Sequence, residues 1–241
     1  MKGRELSEEK ERPPYFEAVA VAPESGPDDG TRDMGKLYPF LICGGKNTER
    51  YYFTHINDKT DYKFNIRPKY FGDESNYTEA FPERIKEVLA TNNDAKIFCV
   101  FDWDTIRGKN VELKKHEAFK EQFQMEISNG SITLCPSMPS IEYWFLLHFV
   151  DENRLLKNYR EISKELAPYL KPCYPNSEPS FKKLLKKEEY LQNATWVENL
   201  CADGKLAKAI ERAKKNVEAA LAEDKLDEQS YTYIYKAFKS Q

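Results

Sequence analysis

The stretch AKIFCVFD at residues 95–102 indicates the fold class, because its side chains are apolar almost without interruption. A short continuous apolar run is typical of a strand that is buried on both faces of a parallel sheet. The run ends in the acidic sequence FDWD at residues 101–104. The pattern therefore predicts the central strand of an α/β sheet, with Asp102 and Asp104 at its carboxyl end.

Strands and helices alternate along the chain on both sides of this stretch. Glycine turns follow or precede two of the apolar runs, and the intervals show apolar residues at helical spacing. Alternation of this kind predicts a mainly parallel sheet with flanking helices. The predicted strands are residues 37–43, 62–68, 95–102 and 131–135, and the predicted helices between them are residues 48–56, 78–90 and 111–128.

The two ends of the chain differ from this α/β core, which we place at residues 37–150. Residues 1–36 are charged and rich in proline, which predicts an N-terminal arm that is flexible in part. Residues 151–241 are predicted to form a helical C-terminal region. Its helices, together with the one before it, are expected near residues 141–149, 152–167, 180–200, 204–223 and 229–239.

The overall composition excludes several classes of protein. The chain has 241 residues, 40% of them hydrophobic, and a net charge of -3, which is ordinary for a globular protein. The chain has no overall excess of positive charge, so a site that binds nucleic acid would have to be a local cluster of basic residues. Five cysteines without a C-x-x-C pair argue against a zinc knuckle and a disulfide framework. Without a secretory signal or an 18-residue apolar run, we expect a cytoplasmic protein.

Acidic residues follow two of the predicted strands. Asp102 and Asp104 are two positions apart, so both carboxylates would project from one face if the strand continued through them. Paired carboxylates that converge with a third acid bind Mg²⁺ or Mn²⁺. Glu49, after the first strand, is the candidate third acid. The same aspartates also suit a loop or a helix cap, and Glu49 also suits a helix N-terminus.

The turn GGKNTE at residues 44–49 is a candidate phosphate site. It precedes a predicted helix, whose N-terminus favours anions, so Gly45, Lys46, Asn47 and Thr48 are expected to contact a phosphate or the substrate. The turn lacks the spacing of a P-loop.

Two further segments have two interpretations each. The lysines of FKKLLKK at residues 181–187 have two interpretations. They form the solvent-exposed face of a helix, or they bind along the phosphate backbone of a nucleic acid. The aromatic segment at residues 143–149 predicts a buried helix more strongly than a base-stacking platform. Glu142 precedes it, either as a charge partner of the helix N-terminus or as a site residue.

Three segments carry a resemblance to a known family. LICGGKNTERYYF at residues 41–53, VFDWD at 100–104 and SMPSIEYWFLLHF at 137–149, in this order and at these separations, resemble the RloB family. The resemblance covers roughly residues 37–240. RloB proteins resemble the wider Toprim group, whose parallel sheets carry a glutamate after the first strand and a D-x-D after a later one. The resemblance therefore implies a Toprim-like core with a nuclease or phosphotransfer site, in genes of restriction loci and anti-phage defence.

The resemblance also implies roles for individual residues. Glu49, Asp102 and Asp104 are the expected catalytic residues, and together with Glu142 they are the expected ligands of Mg²⁺ or Mn²⁺. One position departs from the family pattern, because Gly44 stands where the family usually has glutamate. Loss of an acid–base carboxylate costs about 10²–10⁴ in rate.

Three functions follow from these residues. The first is a metal-dependent nuclease of bacterial anti-phage defence that cleaves RNA or DNA. The second is a catalytically degraded Toprim-like module that binds nucleic acid or a partner protein without cleavage, for which Gly44 is the reason. The third is a phosphotransferase or nucleotide-binding enzyme. The expected partner is nucleic acid and not a membrane; a partner protein of the defence system and a homo-oligomer are also left open.

Overall fold

The structure, a computed structural model, describes residues 38–45, 47–67, 77–174 and 185–239. The predicted N-terminal arm at residues 1–36 lies outside the described residues, as do Lys46 and the lysine-rich residues 181–184. The rest of the chain, Leu37–Gln241, is one compact unit.

The described strands form a single sheet in the order β2-β1-β3-β4-β5. The first four strands run parallel, and β5 pairs antiparallel with the edge of β4. β3 is buried from its first residue to the last one before Asp102, and it pairs with β1 on one side and β4 on the other, as its apolar sequence predicts. The strands are β1 (Phe40–Cys43), β2 (Asn65–Arg67), β3 (Ile97–Asp102), β4 (Ile132–Met138) and β5 (Tyr231–Thr232).

The connecting helices cover both faces of the sheet. Apolar residues of α2 and α3 pack with Ile42, Cys99 and Phe101 on one face. Residues of α1 and of the later helices pack with Leu41 and Val100 on the other face. The mixed α/β fold with a mainly parallel sheet is therefore confirmed. The helices of this half are α1 (Thr48–Lys59), α2 (Tyr77–Thr91), α3 (Asn110–Gln122) and α4 (Gln124–Ser128).

The second half of the chain is mostly helical and packs on the α1 face of the sheet. Every residue of its first helix is buried, which confirms the interpretation of the aromatic segment as a core helix. The described helices are α5 (Glu142–Leu147), α6 (Tyr159–Leu170), α7 (Glu188–Leu191), α8 (Thr195–Cys201), α9 (Lys205–Ala222) and α10 (Tyr235–Lys239).

The structure corrects three expectations about this half. The predicted helix at residues 229–239 begins only at Tyr235, because Tyr231–Thr232 is a strand that covers the edge of β4. β4 continues to Met138 instead of ending at Cys135, since its pairing with β3 runs to Ser137 and its pairing with β5 includes Met138. The helix expected near residues 152–167 is Tyr159–Leu170, and it begins where the Asn158 side chain accepts a hydrogen bond from the Glu161 amide.

The strand β5 is joined to the sheet by side chains as well as by its backbone. Ser137 of β4 is paired with Asp102 of β3 on one side and with Thr232 of β5 on the other. The Ser137 and Thr232 hydroxyl oxygens are 2.7 Å apart and form a buried hydrogen bond. A single residue of β4, Ser137, therefore separates Thr232 of β5 from Asp102 at the end of the central strand.

Three of the five cysteines lie in the core of the sheet. All five cysteines are free, and Cys43, Cys99 and Cys135 are buried within the strands. Burial raises the pKa of each of these three thiols, so they remain protonated apolar groups in the core. None of the helices that the structure describes has the length and apolar character needed to cross a membrane.

Candidate active site

Three elements bring acidic residues to the carboxyl end of the sheet. Asp102 is the last residue of β3, Glu49 lies in the first turn of α1, and Glu142 is the first residue of α5. Asp102 follows Val100 by two positions, so its side chain projects from the face on which α1 and α5 pack. Glu49 and Glu142 are buried. These predicted site residues therefore converge beside one face of the central strand, and we call them the acid cluster.

The surroundings of Asp102 in the acid cluster make its ionisation less favourable. Burial, reinforced by the charges of Glu49 and Glu142, raises the pKa of Asp102 well above the usual range of an aspartate. The Asp102 Oδ1 atom accepts a hydrogen bond of 2.8 Å from the Ile141 amide, which partly opposes this effect. Burial also raises the pKa of Glu49. Strongly perturbed carboxyl groups at the ends of strands are typical of functional sites.

The Glu49 carboxylate lies against the backbone of Gly45. A Cβ atom at position 45 would be 1.7 Å from Glu49 Oε2, which is far inside van der Waals contact. Only glycine leaves this space open for the carboxylate. Gly45 therefore makes room for the Glu49 carboxylate. The sequence predicts a phosphate contact for Gly45 and does not reveal this second role.

Lys186 is the cation that faces the acid cluster, and no sequence pattern singled it out from its neighbours. Its ammonium nitrogen lies 2.6 Å from Glu142 Oε1, and the Ser140 hydroxyl donates a 2.5 Å hydrogen bond to Glu142 Oε2. Although burial opposes it, the charges of Glu142, Glu49 and Asp102 raise the pKa of Lys186. Lys186 is therefore the counter-ion of the cluster, and solvation of an outer helix face does not describe its role.

Two contacts hold Lys186 at this position. The Thr48 hydroxyl, in the first turn of α1, donates a 2.9 Å hydrogen bond to the carbonyl oxygen of Leu185. The Lys186 ammonium also lies 4.6 Å from the centre of the Tyr159 ring, within the range of a cation–π contact. Thr48, for which the sequence predicts phosphate binding, thus fixes the neighbour of Lys186. Asn47 lies beside Thr48 at the helix start, and Lys46 lies outside the described residues.

Asp104 is placed differently from the expectation. β3 ends at Asp102, and Trp103–Thr105 form a 3₁₀ turn, so the alternation of a strand does not bring both aspartates to one face. The Asp104 amide donates to the Pro139 carbonyl oxygen, and its side chain is exposed. Partial burial and the charge of Glu142 still raise the pKa of Asp104. Asp104 therefore lies at the outer edge of the acid cluster, within its electrostatic range.

The chemistry of the acid cluster suits a hard cation, but its arrangement is not a ready cage. Carboxylate oxygens are the ligands that Mg²⁺ and Mn²⁺ prefer. Among the described residues, no three acidic, histidine or cysteine side chains lie close enough together to hold a metal ion. Both oxygens of Glu142 are already hydrogen-bonded, to Lys186 and Ser140. The lysine supplies the positive charge that the carboxylates require.

We expect Asp102→Asn to stabilise the chain at neutral pH, because it removes a carboxylate whose pKa burial and the charges of two neighbouring acids raise well above 3.8. The unfolded chain ionises this group near the ordinary pKa of 3.8, whereas the folded chain retains the proton to higher pH. Asp102 therefore lowers the free energy of unfolding. This loss of stability is absent below pH 3.8 and grows as the pH rises toward the pKa of Asp102 in the folded chain. Asparagine removes the charge and keeps an oxygen for the Ile141 amide. Urea unfolding of both chains at pH 7 and well below pH 3.8 measures this gain, which should vanish at the lower pH; equal stability at pH 7 would contradict it.

Comparison with known families gives a match, and its range includes the three motif segments. A family model described as "RloB-like protein" matches residues 40–240, which is most of the chain. The match includes every residue of the acid cluster and Lys186. Comparisons with curated proteins and with solved structures gave no match.

Proposed function

The chain belongs to the RloB-like protein family, and on this premise we propose that it is a Mg²⁺-dependent nuclease of bacterial anti-phage defence with a Toprim-like core. The observation that carries the proposal is the acid cluster, in which Glu49, Asp102 and Glu142 meet at the carboxyl end of the central strand. Ligands of open α/β sheets bind at this end of the strands. The D-x-D formed by Asp102 and Asp104 at the end of β3 supports the Toprim-like assignment, whereas Gly44 stands where the family usually has the glutamate after the first strand.

The residues of the cluster would divide the work as follows. Glu49, Asp102, Asp104 and Glu142 would hold Mg²⁺ or Mn²⁺ only after the ion displaced Lys186 from Glu142, because the described residues form no ready metal site. A bound ion would polarise a phosphodiester and lower the pKa of a water molecule. The Lys186 ammonium binds a phosphate oxygen of the substrate, because it is half-exposed and already directed into the site. The Glu49 carboxylate, whose pKa burial raises, accepts a proton at neutral pH more readily than an exposed glutamate does.

The experiment that tests this function is a cleavage assay with the purified chain. Labelled tRNA, single-stranded DNA and plasmid DNA are incubated with Mg²⁺, with Mn²⁺ or with a chelator. We expect cleavage of at least one substrate with a metal ion and none with the chelator. Cleavage that is insensitive to the chelator would contradict a metal-dependent site, and no cleavage under any condition would favour a binding module.

Gly45→Ala is expected to lower the rate of cleavage by about 10²-fold, because its Cβ takes the place of the Glu49 carboxylate. The displaced atoms are the end of a flexible side chain, so the fold should be retained. The variant keeps all the acids, and it therefore tests the position of Glu49 separately from its charge. Glu49→Gln is the control and should lose activity to a similar degree. Full activity of Gly45→Ala beside an inactive Glu49→Gln would show that this position is not required.

A second candidate function, a module that binds nucleic acid or a partner protein without cleaving, is favoured by Gly44. A Cβ at this position would lie 3.2 Å from the Phe101 Cβ and 3.3 Å from the Val100 carbonyl oxygen, so a side chain fits only if these atoms shift slightly. Phe101 packs on the α2 face of the sheet, opposite to Asp102. Gly44 thus leaves the site without the family's usual glutamate.

Gly44→Glu discriminates between the two functions. A large gain in metal-dependent cleavage would show that the native chain had lost its catalytic acid and would support the binding module. Unchanged or reduced cleavage beside an active native chain would support Glu49, Asp102 and Asp104 as the working set.

A further inference from the structure

An open cavity of about 290 Å³ lies beside the acid cluster. Asp104 lines it and is also the outer member of the site described above. Met138, the last residue of β4, lines it as well, so the cavity lies at the same carboxyl end of the sheet. The remaining lining residues are Arg107, Leu155 and Lys157.

The Arg107 guanidinium is held in place by uncharged groups. Its Nη1 atom lies 3.9 Å from the Met138 sulfur, and its Nη2 atom donates a 3.2 Å hydrogen bond to the carbonyl oxygen of Asp227. In the part of the chain that the structure describes, no carboxylate forms an ion pair with Arg107. The guanidinium is therefore oriented and retains its full charge for a ligand.

Lys157 provides a second cation on the cavity wall. Its backbone amide donates a 2.8 Å hydrogen bond to Glu161 Oε2, which fixes the backbone at the start of α6. Within residues 38–45, 47–67, 77–174 and 185–239, its ammonium takes part in no ion pair. The side chain is exposed and can reach an anion in the cavity without giving up a partner.

The other wall of the cavity is apolar. Met138 is buried, and the partly buried Leu155 packs against the hydrophobic core. An apolar wall next to two cations, with the Asp104 carboxylate as the one acid of the lining, suits a ligand that has an apolar part and phosphate groups, which describes a nucleotide. The volume is near the lower limit of about 300 Å³ for small-molecule sites, so the cavity admits one nucleotide and is too small for a base pair.

We propose that this cavity is the subsite for one unpaired nucleotide of a single-stranded nucleic acid, next to the phosphate that enters the acid cluster. Arg107 and Lys157 contact the phosphates, and the base lies against Met138 and Leu155. The inference rests on the proposed function and adds the substrate class, a single strand. The walls offer few groups that distinguish base edges, so recognition depends on the backbone and on an apolar contact.

Fluorescence anisotropy tests this subsite without any cleavage. Labelled eight-nucleotide single strands of RNA and DNA, and a blunt DNA duplex of equal length, are titrated with the chain in a chelator at several salt concentrations. We expect the single strands to bind more tightly than the duplex. Arg107→Gln and Lys157→Gln should each weaken single-strand binding and lower the slope of log K against log salt by about 0.7, the value for one phosphate contact. Lys86→Gln, an exposed lysine on α2, is the matched control and should change neither quantity.

The outcomes separate this subsite from the proposed function. If single strands bind through Arg107 and Lys157 but no substrate is cleaved with metal, the subsite stands and the nuclease proposal fails. If cleavage occurs but both variants bind like the native chain, the subsite is wrong. Preference for the duplex, or no binding of any of the three probes, would also overturn it.

Discussion

The double substitution Asp102→Asn with Asp104→Asn is expected to lower metal-dependent cleavage by a factor of at least about 10²–10⁴. Both substitutions keep the size of the side chain but remove the charge that would bind a cation and act on a proton. The amide oxygen introduced at position 102 can still accept the hydrogen bond that Asp102 accepts from the Ile141 amide. The variant therefore removes the chemistry of the site while leaving its main structural contact.

The measurement is the initial rate on the best substrate at saturating Mg²⁺, with Asp94→Asn as the control. Asp94 is an exposed aspartate in the turn after α2, and its substitution should leave the rate unchanged. Because burial makes the Asp102 charge unfavourable, the double variant should unfold at no lower urea concentration than the native chain at pH 7. Loss of activity can then be separated from loss of structure. Native rates in the double variant would refute the assignment of both aspartates.

Lys186→Met is expected to reduce the free energy of unfolding by about 3 kcal/mol. Methionine removes the counter-ion of Glu142, whose side chain is 0% exposed, and leaves a buried carboxylate that keeps the hydrogen bond from the Ser140 hydroxyl. The expected loss lies at the lower end for a broken buried pair, because the Lys186 side chain is 49% exposed and water can take part of its place. Urea unfolding at neutral pH measures the loss.

Two further variants isolate this effect. Lys187→Met changes the adjacent residue, whose ammonium lies 3.6 Å from the exposed Glu189, and should cost less than about 1 kcal/mol, as for surface pairs. Lys186→Met combined with Glu142→Gln should recover much of the lost stability, because the neutral amide needs no counter-ion. Equal losses for Lys186→Met and Lys187→Met would show that Lys186 is an ordinary surface lysine.

The α/β half of the fold could be predicted because each element carries its own periodicity. The run at residues 97–102 is apolar on both faces, and the intervals between strands show helical spacing, so local patterns identified all four parallel strands. β5 has two residues, Tyr231–Thr232, and exists because the edge of β4 is available for pairing. Such a strand depends on a distant partner and leaves no periodic signal in the sequence.

The acidic residues of the candidate site could be predicted because the carboxyl ends of parallel strands meet at one edge of the sheet. Glu49, Asp102 and Glu142 each follow a parallel strand, so their convergence follows from the sheet. Lys186 lies on no strand end, and it reaches Glu142 across 44 positions of sequence. The sequence does not distinguish Lys186 from the neighbouring lysines. In the structure it differs from them because it follows Leu185, which is buried. Asp104 was misplaced because the strand gives way to a 3₁₀ turn after Asp102.

β5 follows the other four strands in the chain, so the ribosome synthesises it after them. Ribosomes deliver the N-terminal part of a chain first, and domains begin to fold as they emerge. Every acid of the cluster, and Lys186, precede Tyr231 by at least 45 positions, since 231 − 186 = 45. Until that segment emerges, the edge of β4 offers unpaired backbone groups to neighbouring nascent chains, a known route to aggregation. The Thr232 hydroxyl then meets Ser137, beside Asp102, and β5 pairs with the last two residues of β4.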